Sequence, residues 1–370
     1  MGRRGARERN RGRTCGCTRR ELVLTMKVLV TGAAGRVGAN VVKRLAATGA
    51  GVRAMVLPGD PQAAKLAALS DVEVIEADLL DQASVDRACR GVSHVVHLAA
   101  QLVRGDTPVD RFYDVNAFGT LRLLEGVVRN GGCERFVLAS TDGTYRPGDP
   151  PAVPLREDAP QEPADYYGTG KLLGEIILRN HAVQFDIPFA MVRFATVVSP
   201  EEAVRQFRLR SVRELFGRAR LGRDSNIWQL FQGQPDLVRI VDDVVGADAD
   251  DQMAVGLTGP DGEPWSLHML DVRDAVEGVY RALTEPGALG GAFNIASAQP
   301  TCFTAGSEII AERFDVPRAV VRMPMTWRLE MSIDAARRAL GFEPKYDFAS
   351  MVATADGTDV IPARVGTGGA

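Results

Sequence analysis

No apolar run in the 370-residue chain approaches the roughly 20 residues that a bilayer-spanning helix needs, so no membrane partner is expected. Charge of one sign is missing too. Against 44 Lys and Arg stand 47 Asp and Glu, and a net charge of −3 gives no electrostatic reason to expect nucleic acid. Cysteine is scarce and odd in number: Cys15, Cys17, Cys89, Cys133 and Cys302 share no repeated spacing and make no disulfide framework. That usage points to a reducing, cytoplasmic compartment. Cys15-Gly16-Cys17 brings two thiols together, but two thiols without partners fall short of a zinc site, and no metal is expected. No repeat of about 20–50 residues is visible, which excludes a solenoid. What is there, 45% hydrophobic and 25% charged residues, is the composition of a soluble globular protein. The length suits one large domain, or a main domain with a smaller lobe.

The first 25 residues differ in kind. They are rich in arginine and glycine and lack the apolar region of a secretory signal. Such tails are disordered as a rule. Met26-Lys27-Val28-Leu29-Val30 reads as the opening of a first strand, so the extension also reads as the product of a start codon assigned too early.

From Met26 short β-branched apolar runs alternate with longer amphipathic ones. Strands are expected at 27–31, 51–57, 72–77, 93–98, 135–140 and 188–194. Helices are expected at 36–48, 61–69, 81–89, 108–129 and 167–184. Continuous apolar strands alternating with helices indicate a doubly wound α/β domain, a parallel Rossmann sheet covered on both faces. Residues 26–198 form this core. Residues 199–350 read as a smaller C-terminal substrate-binding lobe that returns to the core in part, and 351–370 as a flexible tail. Within the lobe, 201–261 is first arginine-rich and then acidic, the pattern of solvated faces. Alternation resumes with a strand at 265–270, a helix at 272–283 and a strand at 292–296.

Thr31-Gly32-Ala33-Ala34-Gly35-Arg36-Val37-Gly38 lies between the first strand and the first helix. Glycine suits this place because the turn is tight and the backbone must approach a pyrophosphate. Free N–H groups and the positive helix end then hold the phosphates. The cofactor is NAD or NADP. A carboxylate closing the second strand would select NAD and an arginine NADP, yet Val56-Leu57-Pro58 offers neither. Arg36 could reach the pyrophosphate or a 2′-phosphate. With no acid in view to repel that phosphate, the reading leans to NADP.

Tyr167 and Lys171 sit one helical turn apart on one face. A phenol with a pKa near 10 is a poor base at neutral pH. A neighbouring ammonium should favour the phenolate, letting Tyr167 take a proton from a substrate hydroxyl as hydride leaves. Ser140-Thr141 closes the fifth strand just before this helix.

These pieces keep the order they have in the extended short-chain dehydrogenase/reductases, the NAD-dependent epimerase/dehydratase family, which the chain resembles over nearly all of 26–348. The carriers are TGAAGRVG, Asp78-Leu79, His97-Leu98-Ala99-Ala100, Asn116 in VNAFGT, Ser140-Thr141-Asp142, Tyr167…Lys171, Arg193-Phe194, HMLDVRDA at 268–275, FNIA at 293–296 and ALGFEP at 339–344. The resemblance implies an NAD(P)-dependent oxidoreductase or epimerase acting on a secondary alcohol or ketone of a sugar or sugar nucleotide. It assigns Tyr167 as acid/base, Thr141 as hydrogen-bond partner of the reacting oxygen, Lys171 on the nicotinamide ribose and Asn116 as steadier of the active-site helix. Gly32, Gly35, Arg36, Val37, Gly38, Asp78, Leu79, Leu98, Ala99, Ala100, Gln101, Ser140 and Phe194, with Tyr167 and Lys171, would line the cofactor. Asp142, Thr196 and Arg273 would meet the small-molecule substrate, and a homodimer through the Asn116 and Tyr167 helices is implied. His97 is expected to be structural.

Two departures bear on substrate. In nucleotide-sugar 4,6-dehydratases, Thr-Asp is followed by a glutamate that helps remove water; here Gly143 follows. Where many sugar-nucleotide epimerases carry an asparagine near the substrate diphosphate, Thr196 donates one hydrogen bond and not two. Arg205, Arg208, Arg210, Arg223 and Arg273 remain as candidates to bind a diphosphate. Alternatives are an NADP-linked reductase or dehydrogenase of a non-nucleotide substrate, and a non-catalytic dinucleotide sensor or assembly factor, which usually loses the tyrosine or the lysine.

Overall fold

A computed structural model describes residues 25–102, 107–225 and 228–364. The extension up to residue 24, with Cys15 and Cys17, lies outside the described residues, as does 365–370. The core is a seven-stranded parallel sheet. Its strands are β1 (Lys27–Thr31), β2 (Gly51–Val56), β3 (Val72–Glu76), β4 (His94–His97), β5 (Arg135–Thr141), β6 (Phe189–Phe194) and β11 (Ala292–Ile295), in the order β11-β6-β5-β4-β1-β2-β3. The order reverses between β1 and β4, which opens the crevice where ligands bind in doubly wound sheets. Apart from the edge strand β3, the strands are buried almost throughout; β5 has all seven residues buried. That explains why they read as unbroken apolar runs.

Helices cover both faces. On one lie α1 (Arg36–Ala46), α9 (Val272–Thr284) and α11 (Asp334–Leu340), packed with Val28, Val30, Val192 and Ile295 around one core. On the other lie α2 (Gln82–Ala88), α4 (Gly119–Arg129) and α5 (Tyr166–Phe185), around Leu29, Leu123, Phe136 and Leu178. Asp81, expected inside α2, is instead its cap and accepts from Ala83 and Ser84 N–H groups. The helix expected over 108–129 is in three parts. α3 (Val109–Tyr113) passes into a π turn (Asp114–Phe118) before α4. Such single π turns mark functional sites in many helices, and this one carries Asn116.

A second core belongs to the lobe. It gathers Phe207, Phe216, Phe231, Trp265, Phe303 and Phe348. It holds α6 (Pro200–Ala203), α7 (Leu209–Gly217), α8 (Leu237–Val245), α10 (Phe303–Phe314) and α12 (Phe348–Ala353), with β8 (Ala254–Thr258) paired to β13 (Arg318–Arg322). The basic and acidic runs between 201 and 261 answer each other: Arg213 pairs with Asp242 and Asp251, and Arg220 with Asp236. The strand expected over 265–270 splits at His268. β9 (Ser266–Leu267) joins β12 (Thr301–Cys302) and β14 (Arg328–Leu329), while β10 (Met269–Asp271) pairs with β7 (Thr196–Val198).

The stretch expected as a flexible tail is docked as far as the structure describes it. The Asn40 amide on α1 donates to Ile361 O and accepts from Ile361 N, both at 2.9 Å. Lys43 pairs with Asp359, Lys65 donates to Ala363 O, and Ala363 N donates to Glu201. Apart from the Lys43–Asp359 pair, these contacts use main-chain groups of Ile361 and Ala363, which composition does not reveal.

Candidate active site

The cradle follows β1. Gly32 has a positive φ of 63°, and a Cβ on Gly38 would lie 2.1 Å from Gly32 O, so no side chain fits there. The N-terminus of α1 receives no side-chain cap and has no acid in its first turn. Its N–H groups are therefore left for an anion. Thr31 Oγ1 accepts from Leu98 N and Ala99 N at 3.2 and 3.1 Å, which clips the 98–101 loop beside Gly32. The cradle fits a dinucleotide.

The side chain weighed for cofactor selection is committed elsewhere. Arg36 reaches across to the lobe side, donating to Val197 O at 2.9 Å and pairing with Glu202. It is thus committed away from a 2′-phosphate. An acid does stand by the end of β2: Glu76, paired in register with Val56, accepts from Gly59 N at 3.2 Å. It comes from the neighbouring strand, so a search confined to β2 passes over it. Asp78 and Leu79 shape the turn before α2, Asp78 by accepting from Leu80 N and Leu79 by burial against Gly119.

Asn116 is bidentate to Gln101, accepting from its N–H at 2.8 Å and donating to its carbonyl at 3.1 Å. It therefore ties the 98–101 loop to the helix that carries it. His97 is fully buried and bridges Thr31 and Thr120 at 2.7 and 3.2 Å. Burial pulls its pKa down to about 3, and Lys171 adds to the effect. It is a neutral structural histidine, as expected.

α5 carries the Tyr-Lys pair. Asp165 caps it, accepting from Gly168 N at 2.6 Å. A Cβ on Gly174 would meet Asn116 O at 2.9 Å, so α5 presses onto the π turn. Lys171 is buried, and desolvation pulls its ammonium down to about 8 against an opposing pull from Glu175. Burial, Asp142 and Asp165 together push the Tyr167 phenol up, against a lowering by Thr141. The lowering expected from Lys171 is not found; Thr141 is the group that pulls the phenol down. Thr141 donates to Asp142 Oδ1 at 3.0 Å and accepts from Gly143 N at 3.1 Å. Burial raises Asp142 to about 6.

Phe194 lies in register beside Thr141. Val37 packs against the core behind the cradle. Ser140 is not turned to the cofactor: its hydroxyl donates to Glu175 at 2.5 Å. Glu175, one turn beyond Lys171 and fully buried, also pairs with Arg193 at 2.8 Å. Arg193 in turn donates to Tyr145 Oη, which donates to Asn294. This network escaped the sequence reading, although an acid four residues after Lys171 on a buried helix face was a usable signal. Thr196 is exposed at the start of β7, open to a ligand. Arg273 is taken: it holds Asp271 through two nitrogens and lies 3.5 Å over the Tyr346 ring. Arg208 is bonded to Val204 O and Gln252 O, and Arg210 to Glu214. The side chain of Arg223 lies outside the described residues. Among the described residues no group of three or more His, Cys, Asp or Glu is placed to hold a metal, and no helix is long and apolar enough to cross a membrane.

The chain is similar to a UDP-glucose 4-epimerase of Mycolicibacterium smegmatis, 35% identical over 183 residues, which is 48% of this chain and 58% of that protein. The chain spans only about half the length of the first such curated relatives, at 51 to 58%. A UDP-glucose 4-epimerase of Streptococcus mutans matches over 338 residues at 25% identity, covering 87% of this chain and 93% of that one. Among solved structures, a short-chain dehydrogenase/reductase superfamily protein of Agrobacterium tumefaciens with bound NAD superposes with a TM-score of 0.73 and 30% identity. That match covers 89% of this chain and 95% of that one. The profile of the NAD dependent epimerase/dehydratase family matches residues 28–296. On the cradle, the strand order and these matches, the chain belongs to the NAD-dependent epimerase/dehydratase family.

Proposed function

We propose that the protein is an NAD-linked enzyme acting on a secondary alcohol or ketone of a sugar or sugar nucleotide, and that it works as an epimerase that returns the hydride. The observation that carries this is the close seating of the turn after Thr141 on the first turn of α5, where a Cβ on Gly168 would lie 2.1 Å from Gly143 O, with Tyr167 one turn from buried Lys171. Bound NAD would supply the hydride acceptor. Gly32, Gly35, Gly38 and the α1 N-terminus would hold its pyrophosphate, and residues 98–101 its middle. Thr141 and Tyr167 would hold the reacting oxygen, with Tyr167 exchanging its proton. Lys171 would anchor the ribose. Thr196 would face the substrate. The UDP-sugar epimerases among the relatives support a nucleotide sugar.

Glu76 beside Gly59 supports NAD over NADP, the reverse of the lean drawn from β2 alone, because a carboxylate accepts from a 2′-hydroxyl and repels a 2′-phosphate. Exposed Val109, Phe118, Leu173 and Ile176 on the α3–α4 and α5 segments support a homodimer through that face. The test is Tyr167→Phe, with UDP-glucose and UDP-glucuronic acid offered beside NAD. Cofactor binding should persist and turnover vanish; full activity in the variant overturns the assignment. An epimerase interconverts the sugars with no net build-up of reduced nicotinamide, whereas a dehydrogenase accumulates it. Titration with NADH and NADPH should favour NADH by at least about tenfold.

A further inference from the structure

The phosphate cradle is a short piece of main chain, and what it offers a dinucleotide depends on how its peptide groups are aimed. The Ala34 carbonyl and the Gly35 N–H belong to one rigid peptide plane. The N–H edge of that plane donates to Gly32 O at 2.9 Å. The carbonyl edge accepts from Lys65 Nζ at 3.0 Å. Directly after Gly35 come the uncapped N–H groups at the start of α1, so a tilt of this plane would re-aim them. Lys65 lies on the 3₁₀ turn Pro61–Leu66 after β2 and is buried. Its ammonium has a second acceptor, the Ala363 carbonyl of the C-terminal segment. Ala363 N donates in turn to Glu201 on α6 at 3.2 Å. Glu202, the next residue of α6, pairs with Arg36, which directly follows Gly35. The contacts close a ring that runs from the cradle through Lys65, Ala363 and α6 back to the cradle. Asn40 and Lys43 fasten the same C-terminal segment along α1.

We infer that Lys65 is a positioning residue for the dinucleotide, aimed at the cradle by Ala363 of the C-terminal segment. The inference rests on the reading of the cradle as the dinucleotide site and on no substrate. A lysine stem is flexible and its ammonium is strongly hydrated when free. Here two main-chain carbonyls hold it inward, one on the cradle and one on residue 363. So held, Lys65 fixes the Ala34–Gly35 plane, and its positive charge stands behind the turn that would carry a pyrophosphate. The charged groups around it are Asp60, Arg36, Glu201 and Glu202. Ala363 lies beyond residue 296, where the family match ends. Cofactor affinity therefore depends on a segment that is not part of the matched stretch.

Binding to the full chain tests this, with NAD followed by calorimetry and adenosine by ligand-observed NMR. Lys65→Met keeps the buried stem and removes the donor. Its Kd for NAD should rise by about tenfold, the size of a lost charge-assisted hydrogen bond. Adenosine, which has no phosphate, should bind the variant as it binds wild type. An unchanged Kd for NAD overturns the inference, and so does an equal loss for adenosine, which marks a general loosening. Glu201→Ala probes the anchor at Ala363, and the sign of its effect decides. Removing an acid from beside an anion site tightens NAD by charge alone, whereas releasing Ala363 weakens it. A rise in Kd of about threefold is expected; unchanged or tighter binding overturns the role of the C-terminal segment. With Lys65→Met already made, Glu201→Ala should add little, because its effect passes through Lys65. Two losses that multiply in full refute that linkage. Wild type that binds no NAD refutes the cradle reading itself, and the inference with it, before any variant is compared.

Discussion

Replacing Glu175 by Gln keeps its shape and removes its charge, at a point where one carboxylate serves several partners. Its oxygens accept from Arg193 at 2.8 and 3.0 Å, from Ser140 at 2.5 Å and from Gln161 at 3.2 Å. Arg193 is 1% exposed, so its guanidinium cannot turn to water when the partner charge goes. Breaking a buried pair from one side costs about 3–5 kcal/mol. Arg193 keeps its bonds to Tyr145 Oη and Glu157 O, which sets the expectation for Glu175→Gln at the low end, about 3 kcal/mol. Arg193→Met should cost less, because the stranded carboxylate retains Ser140, Gln161 and a 3.3 Å contact to half-exposed Arg179. Glu175→Leu with Arg193→Met should recover part of the loss, since an apolar pair replaces a buried ionic one at little cost. Urea unfolding of the four chains at neutral pH, analysed for two-state behaviour, gives the comparison. A loss below about 1 kcal/mol in Glu175→Gln, or a double variant worse than both singles, would refute the argument.

Lys171 makes stability depend on pH. Its ordinary value near 10.5 falls to about 8 in the folded chain, so between those values the unfolded chain binds more protons. Stability should rise with pH across that window, by about 3 kcal/mol relative to Lys171→Met; parallel unfolding curves for the two chains would contradict it. Gly174→Ala should destabilise by about 1–3 kcal/mol and slow turnover, because the new methyl meets the Asn116 carbonyl, which is backbone and cannot swing aside. A wild-type melting temperature in that variant counts against the tight seating of α5.

What the sequence made legible was whatever nature writes locally. β1, β4, β5 and β6 are buried along their length and appear as apolar runs, and the cradle glycines are adjacent in the chain. Tyr167 and Lys171 share one helix face. What it hid depends on partners far away. Arg36 was read beside the glycines, yet its acceptors are 161 and 166 residues further on. Arg273 looked available until Asp271 and Tyr346 closed on it. Glu76 stands next to Gly59 only because β2 and β3 pair in register. The break at His268 was invisible because both halves are short strands, in different sheets. The rise of the Tyr167 phenol was missed because desolvation is a property of the packed site, not of the spacing between two residues.

The clasp between Asn40 and Ile361 has a bearing on how the protein is made. The two are 321 residues apart, and Asn40 is 7% exposed. Until Ile361 has been synthesised, α1 lacks both bonds to it, and the Asn40 amide keeps only the one it donates to Arg36 O. The sheet is in the same position, since its edge strand β11 lies about a hundred residues after the neighbour it pairs with. The first-made part of the chain is therefore among the last to settle. A nascent or shortened chain would carry a cradle complete in sequence and loose in structure.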